Sequence, residues 1–227
     1  MKAIPLYFLL SMLTGNPILA LVVLLLLYGF IDRLYFRFLP DFFAPLKRNS
    51  RIKNLQRLIY LNPSNADALL ELGVLYFEKR RYDRCIEYLN RAGEKIENSA
   101  RLYMYLGMAS FEINNSSGGI KFLEKALELN PSVGYGLPYV YMLRYHLESG
   151  NSQKELFSKL EERFQSFANT ENFFRMGKVY KNSGDRIKAK EMFEHALRDY
   201  TYCPRALRKL HRRWAFFSWL NKLTIGG

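Results

Sequence analysis

The segment ADALLELGVLYFEKRRYDRCIEYLNRA at residues 66–92 returns, 34 residues later, as ARLYMYLGMASFEINNSSGGIKFLEKA at 100–126. Leu72-Gly73 of the first falls on Leu106-Gly107 of the second. A third version, TENFFRMGKVYKNSGDRIKAKEMFEHA at 170–196, places Met176-Gly177 a further 70 residues on, which is two periods plus two inserted residues. A fixed period of this length marks stacked copies of one supersecondary unit, each unable to bury its apolar face alone.

Within a unit the large residues at positions 4, 7 and 11 make a helical stripe. They are Leu69, Leu72 and Tyr76 in the first copy, and Phe173, Met176 and Tyr180 in the last. The Gly at position 8 costs roughly 1 kcal/mol in a helix interior, so its recurrence needs a packing reason, the close approach of another helix. Small residues at positions 20 and 27 (Cys85 and Ala92, Gly119 and Ala126, Ala189 and Ala196) let a second helix nest on the first. Asn114-Asn115, Gly150-Asn151 and Gly184-Asp185 read as the turns between paired helices, and Asn130-Pro131 ends a unit.

This set resembles the tetratricopeptide repeat (TPR) family: Leu/Tyr/Phe at 4, Leu-Gly at 7 and 8, Tyr at 11, small residues at 20 and 27, an apolar residue at 24 and Pro131 at 32. The resemblance implies an all-α fold, an α-solenoid of stacked TPR helix pairs, here behind an amino-terminal transmembrane helix. The units run 66–99, 100–133, 136–169 and 170–203. The third is degenerate: positions 7 and 8 become Met142-Leu143, Leu156 stands near position 20, and two extra residues precede it in 132–136. Its helices are expected at Leu137–Ser149 and Gln153–Phe167, with shifted packing. Residues 50–61 read as half of a leading unit inside a basic leading helix over 47–65. Residues 204–227 form a basic capping helix, which covers the last apolar face of a stack.

Residues 1–46 are read as a membrane anchor. No charged residue occurs from Ala3 to Ile31. Those 29 positions would extend about 43 Å as a helix, against about 30 Å of hydrocarbon. Thr14-Gly15-Asn16-Pro17 interrupts them. The expectation is one transmembrane helix over about 17–39, with Arg33 and Arg37 snorkelling to the headgroups. A short apolar helix over about 4–13 precedes it, too short to span, and lies in the interface or folds back. A cleaved signal peptide is the alternative, but Gly29-Phe30-Ile31-Asp32-Arg33 offers no small-x-small site after the aliphatic run. Lys47, Arg48, Arg51 and Lys53 follow as further membrane-surface basic residues, and the positive-inside rule places the repeats in the cytoplasm, at a bacterial inner or plasma membrane.

The net charge of +13 is concentrated at the two flanks. Residues 47–65 carry five basic residues and 204–227 carry six, neither stretch with an acidic one. The units between them are nearly neutral, which argues against a nucleic-acid partner. The leading cluster suits anionic lipid. The trailing helix, with Trp214, Phe216, Phe217 and Trp219 among its basic residues, reads as a cap, a membrane-surface contact or a docking helix for an acidic partner. Cys85 and Cys203 form no close pair and suggest neither disulfide nor zinc.

No catalytic constellation stands out. His146, His195 and His211 are scattered, and phosphate-loop, His-Glu-x-x-His and Gly-x-Ser-x-Gly patterns are absent. No cofactor is expected. Function then belongs to the surface. The resemblance implies that positions 2, 5, 9, 12 and 13 line a concave partner groove. Its candidate residues are Leu70, Val74, Phe77, Arg101, Met104, Met108, Phe111, Val140, Arg144, Phe174, Lys178 and Lys181. That groove would be apolar and exposed at its amino end and basic at its carboxyl end. The basic clamp with which chaperone-type TPR domains hold an acidic tail is not matched, since Val74, Tyr105 and Leu137 stand where it needs polar or basic residues. The expectation is a non-enzymatic, membrane-anchored adaptor for a protein or peptide. The alternative is a structural subunit of a membrane complex, its groove filled by its own chain or a sister subunit.

Overall fold

In the computed structural model the described residues are 3–32, 44–149 and 154–225. Among them the secondary structure is entirely helical. The helices are α1 (Ala3–Thr14), α2 (Pro17–Ile31), α3 (Ala44–Leu61), α4 (Ala66–Glu78), α5 (Tyr82–Gly93), α6 (Ala100–Glu112), α7 (Ser116–Leu129), α8 (Leu137–Ser149), α9 (Lys154–Phe167), α10 (Thr170–Asn182), α11 (Arg186–Tyr202) and α12 (Arg205–Ile225). A short 3₁₀ turn, Val133–Gly136, precedes α8.

Each regular helix pair is built by the same three local devices. A polar residue caps the first helix: Asn65, Ser99 and Asn169 accept from the backbone N–H of Ala68, Leu102 and Asn172. Position 15 turns the chain in the left-handed region, at Arg80 (φ 57°), Asn114 (φ 63°) and Gly184 (φ 88°). The Gly at position 8 meets the residue at position 24. A Cβ on Gly73, Gly107 or Gly177 would lie 2.6–2.7 Å from Leu89, Leu123 or Phe193. The bare backbone of one helix is thus the bed on which the large side chain of the next lies, and Leu89, Leu123 and Phe193 are fully buried there.

The third pair lacks this device. Leu143 stands at its position 8 and is fully buried, so α8 and α9 cannot approach as closely. Leu160 and Phe164 bury the inner face of α9, while Leu156 is exposed. Residues 150–153, including the Gly150-Asn151 turn, lie outside the described residues. The inserted residues just before α8 reverse the chain through Gly134 (φ 61°), Tyr135 (φ 53°) and Gly136 (φ 79°). Asn172, buried on α10, holds this reversal by donating to the carbonyl oxygens of Gly134 (2.9 Å) and Tyr135 (2.7 Å).

The flanking helices close the stack. Ile52, Leu55 and Ile59 of α3 are buried against the first pair. Two of the expected membrane-surface basic residues serve that contact. Arg51 makes a two-pronged bond to Glu71 (2.7 and 2.6 Å), and Arg48 donates to the Glu78 carbonyl oxygen at 2.8 Å. At the other end α12 packs on α10 and α11. Arg208 caps α11 through the carbonyl oxygens of Cys203 (3.0 Å) and Thr201 (2.8 Å), and Lys222 pairs with Glu194 at 2.9 Å.

The amino-terminal segment shows only part of the expected spanning helix. Among the described residues no helix is long and apolar enough to cross a membrane. The helix expected over 17–39 is described only as Pro17–Ile31, and Arg33 and Arg37 lie outside the described residues. At about 1.5 Å per residue, α2 extends only about 22 Å. α1 packs against it.

Candidate functional site: the carboxyl-terminal groove

The amino half of the expected groove is closed. Val74, Met104, Met108 and Phe111 are buried rather than exposed, and Leu70 and Phe77 are half-buried. The cause is the irregular third unit. Gly134 brings its backbone against the Met104 sulfur, where a Cβ would lie 2.5 Å away. Tyr141 and Tyr145 of α8 meet the Phe111 ring at centroid distances of 5.7 and 6.0 Å. Phe77 is enclosed by Tyr82 (5.5 Å) and Tyr105 (5.3 Å). Of the amino-half candidates Arg101 alone is exposed, its guanidinium 5.9 Å from the Tyr105 ring.

The carboxyl half stays open. Leu137, Val140, Tyr141 and Arg144 of α8, Phe174, Arg175, Lys178 and Val179 of α10, and Trp214 of α12 surround a cavity of about 260 Å³. Four of the expected residues, Val140, Arg144, Phe174 and Lys178, come together here. Lys181 does not line it. Its ammonium instead ties α10 to α12 through Asn221 Oδ1 and Thr224 Oγ1, both at 3.1 Å.

The floor is aromatic and the rim is cationic. The Phe174 ring lies 5.3 Å from Trp214. The Arg144 guanidinium lies over the Tyr141 ring at 5.0 Å, and that of Arg175 lies 5.7 Å from the Trp214 ring. Arg175 is also bonded to Glu171 at 2.6 Å. Arg144 has a buried Nε that makes no hydrogen bond, and its acidic neighbour, Glu148, is 3.8 Å away. Burial, reinforced by Glu112, pushes the Tyr141 phenol up to about 12, so it stays protonated and donates to Glu112 at 3.4 Å. A floor of π faces below two guanidiniums and an ammonium suits an anionic side chain or carboxylate attached to an apolar segment.

Arg175 and Trp214 escaped the sequence-based list. Arg175 lies outside the positions that the resemblance assigns to a groove. Trp214 had a signal: it falls on position 11 of an uncompleted unit, where it reads as a packing residue of the cap.

The other reactive side chains have structural surroundings. Cys85 is buried at position 20, and burial pushes its thiol up to about 12. His195 stacks on Phe173 at 5.2 Å. Among the described residues no group of three or more His, Cys, Asp or Glu could hold a metal ion.

The tetratricopeptide repeat model matches residues 66–92, 100–133 and 170–198. The irregular third unit falls in the gap. No curated protein matches the chain. Among solved structures, "Crystal structure of MamA" is similar at 25% identity and a TM-score of 0.51, covering 65% of this chain and 85% of that one. "Crystal structure of APC/C hetero-tetramer Cut9-Hcn1" is similar at 16% identity and a TM-score of 0.55, over 78% of this chain and 36% of that one. "Crystal structure of YrrB: a TPR protein with an unusual peptide-binding site" has 17% identity, a TM-score of 0.49, and coverage of 75% and 85%. The Gly–Leu and Gly–Phe packing pairs, the recurring caps and the matched residues agree: this chain carries tetratricopeptide repeats at 66–92, 100–133 and 170–198.

Proposed function

We propose that this protein is a membrane-anchored TPR adaptor that holds an acidic peptide segment of a protein partner in the groove between α8, α10 and α12. The observation that carries the reading is the unsatisfied Arg144 Nε beside Arg175 and Lys178, above an open cavity floored by Phe174 and Trp214. An anionic ligand would complete that set. Tethering at the inner membrane face would raise the local concentration of the partner and turn capture into a quasi-intramolecular event. The basic residues carboxyl-terminal to the apolar segment support a cytoplasmic side for the repeats.

The test is a titration of the detergent-solubilised full chain with a fluorescein-labelled, glutamate-rich peptide carrying one Phe, against the same peptide with Lys in place of Glu. Saturable binding of the acidic peptide, weakened at least tenfold by Arg175→Glu with Lys178→Glu, is expected. Equal binding of both peptides, or no effect of the double change, removes the groove from the account.

A second reading has its own observation. The chain already fills the amino half of its groove with Tyr141, Tyr145 and the Gly134 turn. A structural subunit of a membrane complex would be built this way. A defined oligomer in detergent that fails to bind the acidic peptide favours it.

A further inference from the structure

We infer that α1 and α2 form a re-entrant hairpin, entering and leaving the bilayer through one face, so that the first residues of the chain lie on the same side as the repeats. This deepens the membrane reading above and rests on it. It replaces the single spanning helix expected from the sequence.

The first observation is the packing. Among the described side chains of α1, Tyr7, Leu10, Ser11 and Thr14, at i, i+3, i+4 and i+7, are the partly buried ones, and on α2 Ala20 and Leu24 are buried and Val23 and Gly29 partly buried. Leu24, eight positions into α2, is 9% exposed, so the two helices face one another well beyond the turn. Ser11 and Ala20 keep the contact narrow, as small residues do between helices in lipid. Apart from Tyr28, the large side chains on the outward faces are apolar, among them Met12 (88% exposed), Leu13 (75%), Leu25 (62%) and Leu26 (64%). Such a surface needs an apolar surrounding.

The second observation is the turn. In hydrocarbon a helix end must satisfy its own backbone groups. α2 does so. Pro17 has no N–H to satisfy. The Ile18 and Leu19 N–H groups donate to Asn16 Oδ1 (2.9 and 3.3 Å), and that of Ala20 donates to the Asn16 carbonyl oxygen (3.0 Å). The Thr14 hydroxyl reaches the carbonyl oxygens of Leu10 (2.8 Å) and Asn16 (3.1 Å), and Tyr7 donates to that of Pro17 (3.4 Å).

The third observation is where the charges resume. Lys2 stands 13 positions before Gly15 and Asp32 stands 17 after it. At the helical rise these separations correspond to about 20 and 26 Å, so arms helical throughout would bring their first charges to nearly one level. The arms are longer than one leaflet's share, about 15 Å, of a hydrocarbon core of about 30 Å, and shorter than the whole. The turn would lie past the midplane. If instead the turn lay at the far interface, the Lys2 charge would fall short of the near one, at a cost of several kcal/mol.

The experiment uses the full chain with Cys203→Ser and one added cysteine, either inserted between Met1 and Lys2 or made by Ser50→Cys. Cys85 is buried and stays. Sealed right-side-out and inside-out vesicles are floated and then treated with a membrane-impermeant maleimide. The expected result is that both cysteines label from the same face and neither from the other. Labelling of the amino-terminal cysteine from the opposite face, or only after the membrane is dissolved, overturns the hairpin and leaves membrane attachment standing. Failure of the protein to float with the vesicles overturns the membrane reading, and the lipid hairpin with it.

Discussion

Gly107 and Leu123 are in such close contact that a methyl group on Gly107 would lie 2.6 Å from Leu123 Cδ2 and 2.9 Å from the Gly119 carbonyl oxygen. The second of these cannot rotate away. Gly107→Ala should therefore destabilise the chain despite the better helix propensity of Ala. Overpacking costs about 1–3 kcal/mol and propensity returns at most about 1. The net expectation is a loss of about 1–2 kcal/mol. Gly93→Ala is the control, because there the nearest atom, Leu102 Cδ2, is at an ordinary 3.8 Å. Thermal unfolding followed by circular dichroism should order the melting points Gly93→Ala, wild type, Gly107→Ala, highest first.

Arg80 occupies the left-handed turn that Gly184 occupies in the last unit, with φ values of 57° and 88°. A side chain there meets the carbonyl group of its own backbone, a strain of about 1–2 kcal/mol that Gly avoids. Arg80 is exposed, so its replacement removes little packing. Arg80→Gly should stabilise the protein by about 1 kcal/mol, and Gly184→Ala should destabilise it by a similar amount. Chemical denaturation midpoints measure both, and equal midpoints for wild type and Arg80→Gly would refute the strain argument.

The repeat was legible because three copies vote on each position. Gly73, Gly107 and Gly177 carry the same packing duty, and a period displays it without any knowledge of contacts. The closed groove was not legible. It depends on where two inserted residues send the chain, and Asn172, 38 positions from Gly134, decides that through a long-range bond. Met104 and Phe111 then become core, although their positions in the unit read as surface. Arg48 and Arg51 read as lipid-facing because a run of basic residues carries no sign of its partners, Glu78 and Glu71, on the next helix. The amino-terminal break at Gly15 was visible, but its geometry was not, because a charge-free stretch does not say whether it continues or returns.

His195 should make stability depend on pH. Burial against Phe173, and then the nearby Arg198, hold its pKa below the ordinary 6.5, although Glu191 at 3.6 Å pulls the other way. The unfolded chain therefore binds this proton more readily than the folded one. The contribution is complete above about pH 6.5 and is lost as pH falls through the depressed folded value. The melting point should drop on going from pH 7 to pH 5, and His195→Gln should flatten part of that drop. An unchanged slope in the variant would assign the dependence to other groups.

Trp214 joins the cap to the groove, and the two duties can be separated. Its ring stands 5.3 Å from Phe174 and near two guanidiniums, those of Arg213 at 4.5 Å and Arg175 at 5.7 Å. Trp214→Leu keeps an apolar side chain on the α12 face that meets α10, but removes the π face that positions Arg175. A cation–π contact of this kind is worth about 0.5–1 kcal/mol where exposed and about 2 when desolvated. A bound anionic segment covers the site and shifts it toward the larger figure. Affinity for the acidic peptide should then fall about three- to thirtyfold, while the melting point moves by only a few degrees. Raising the salt concentration should weaken wild-type binding as well, since Arg175 and Lys178 are exposed. A variant that melts far earlier but binds normally would make Trp214 a residue of the cap alone.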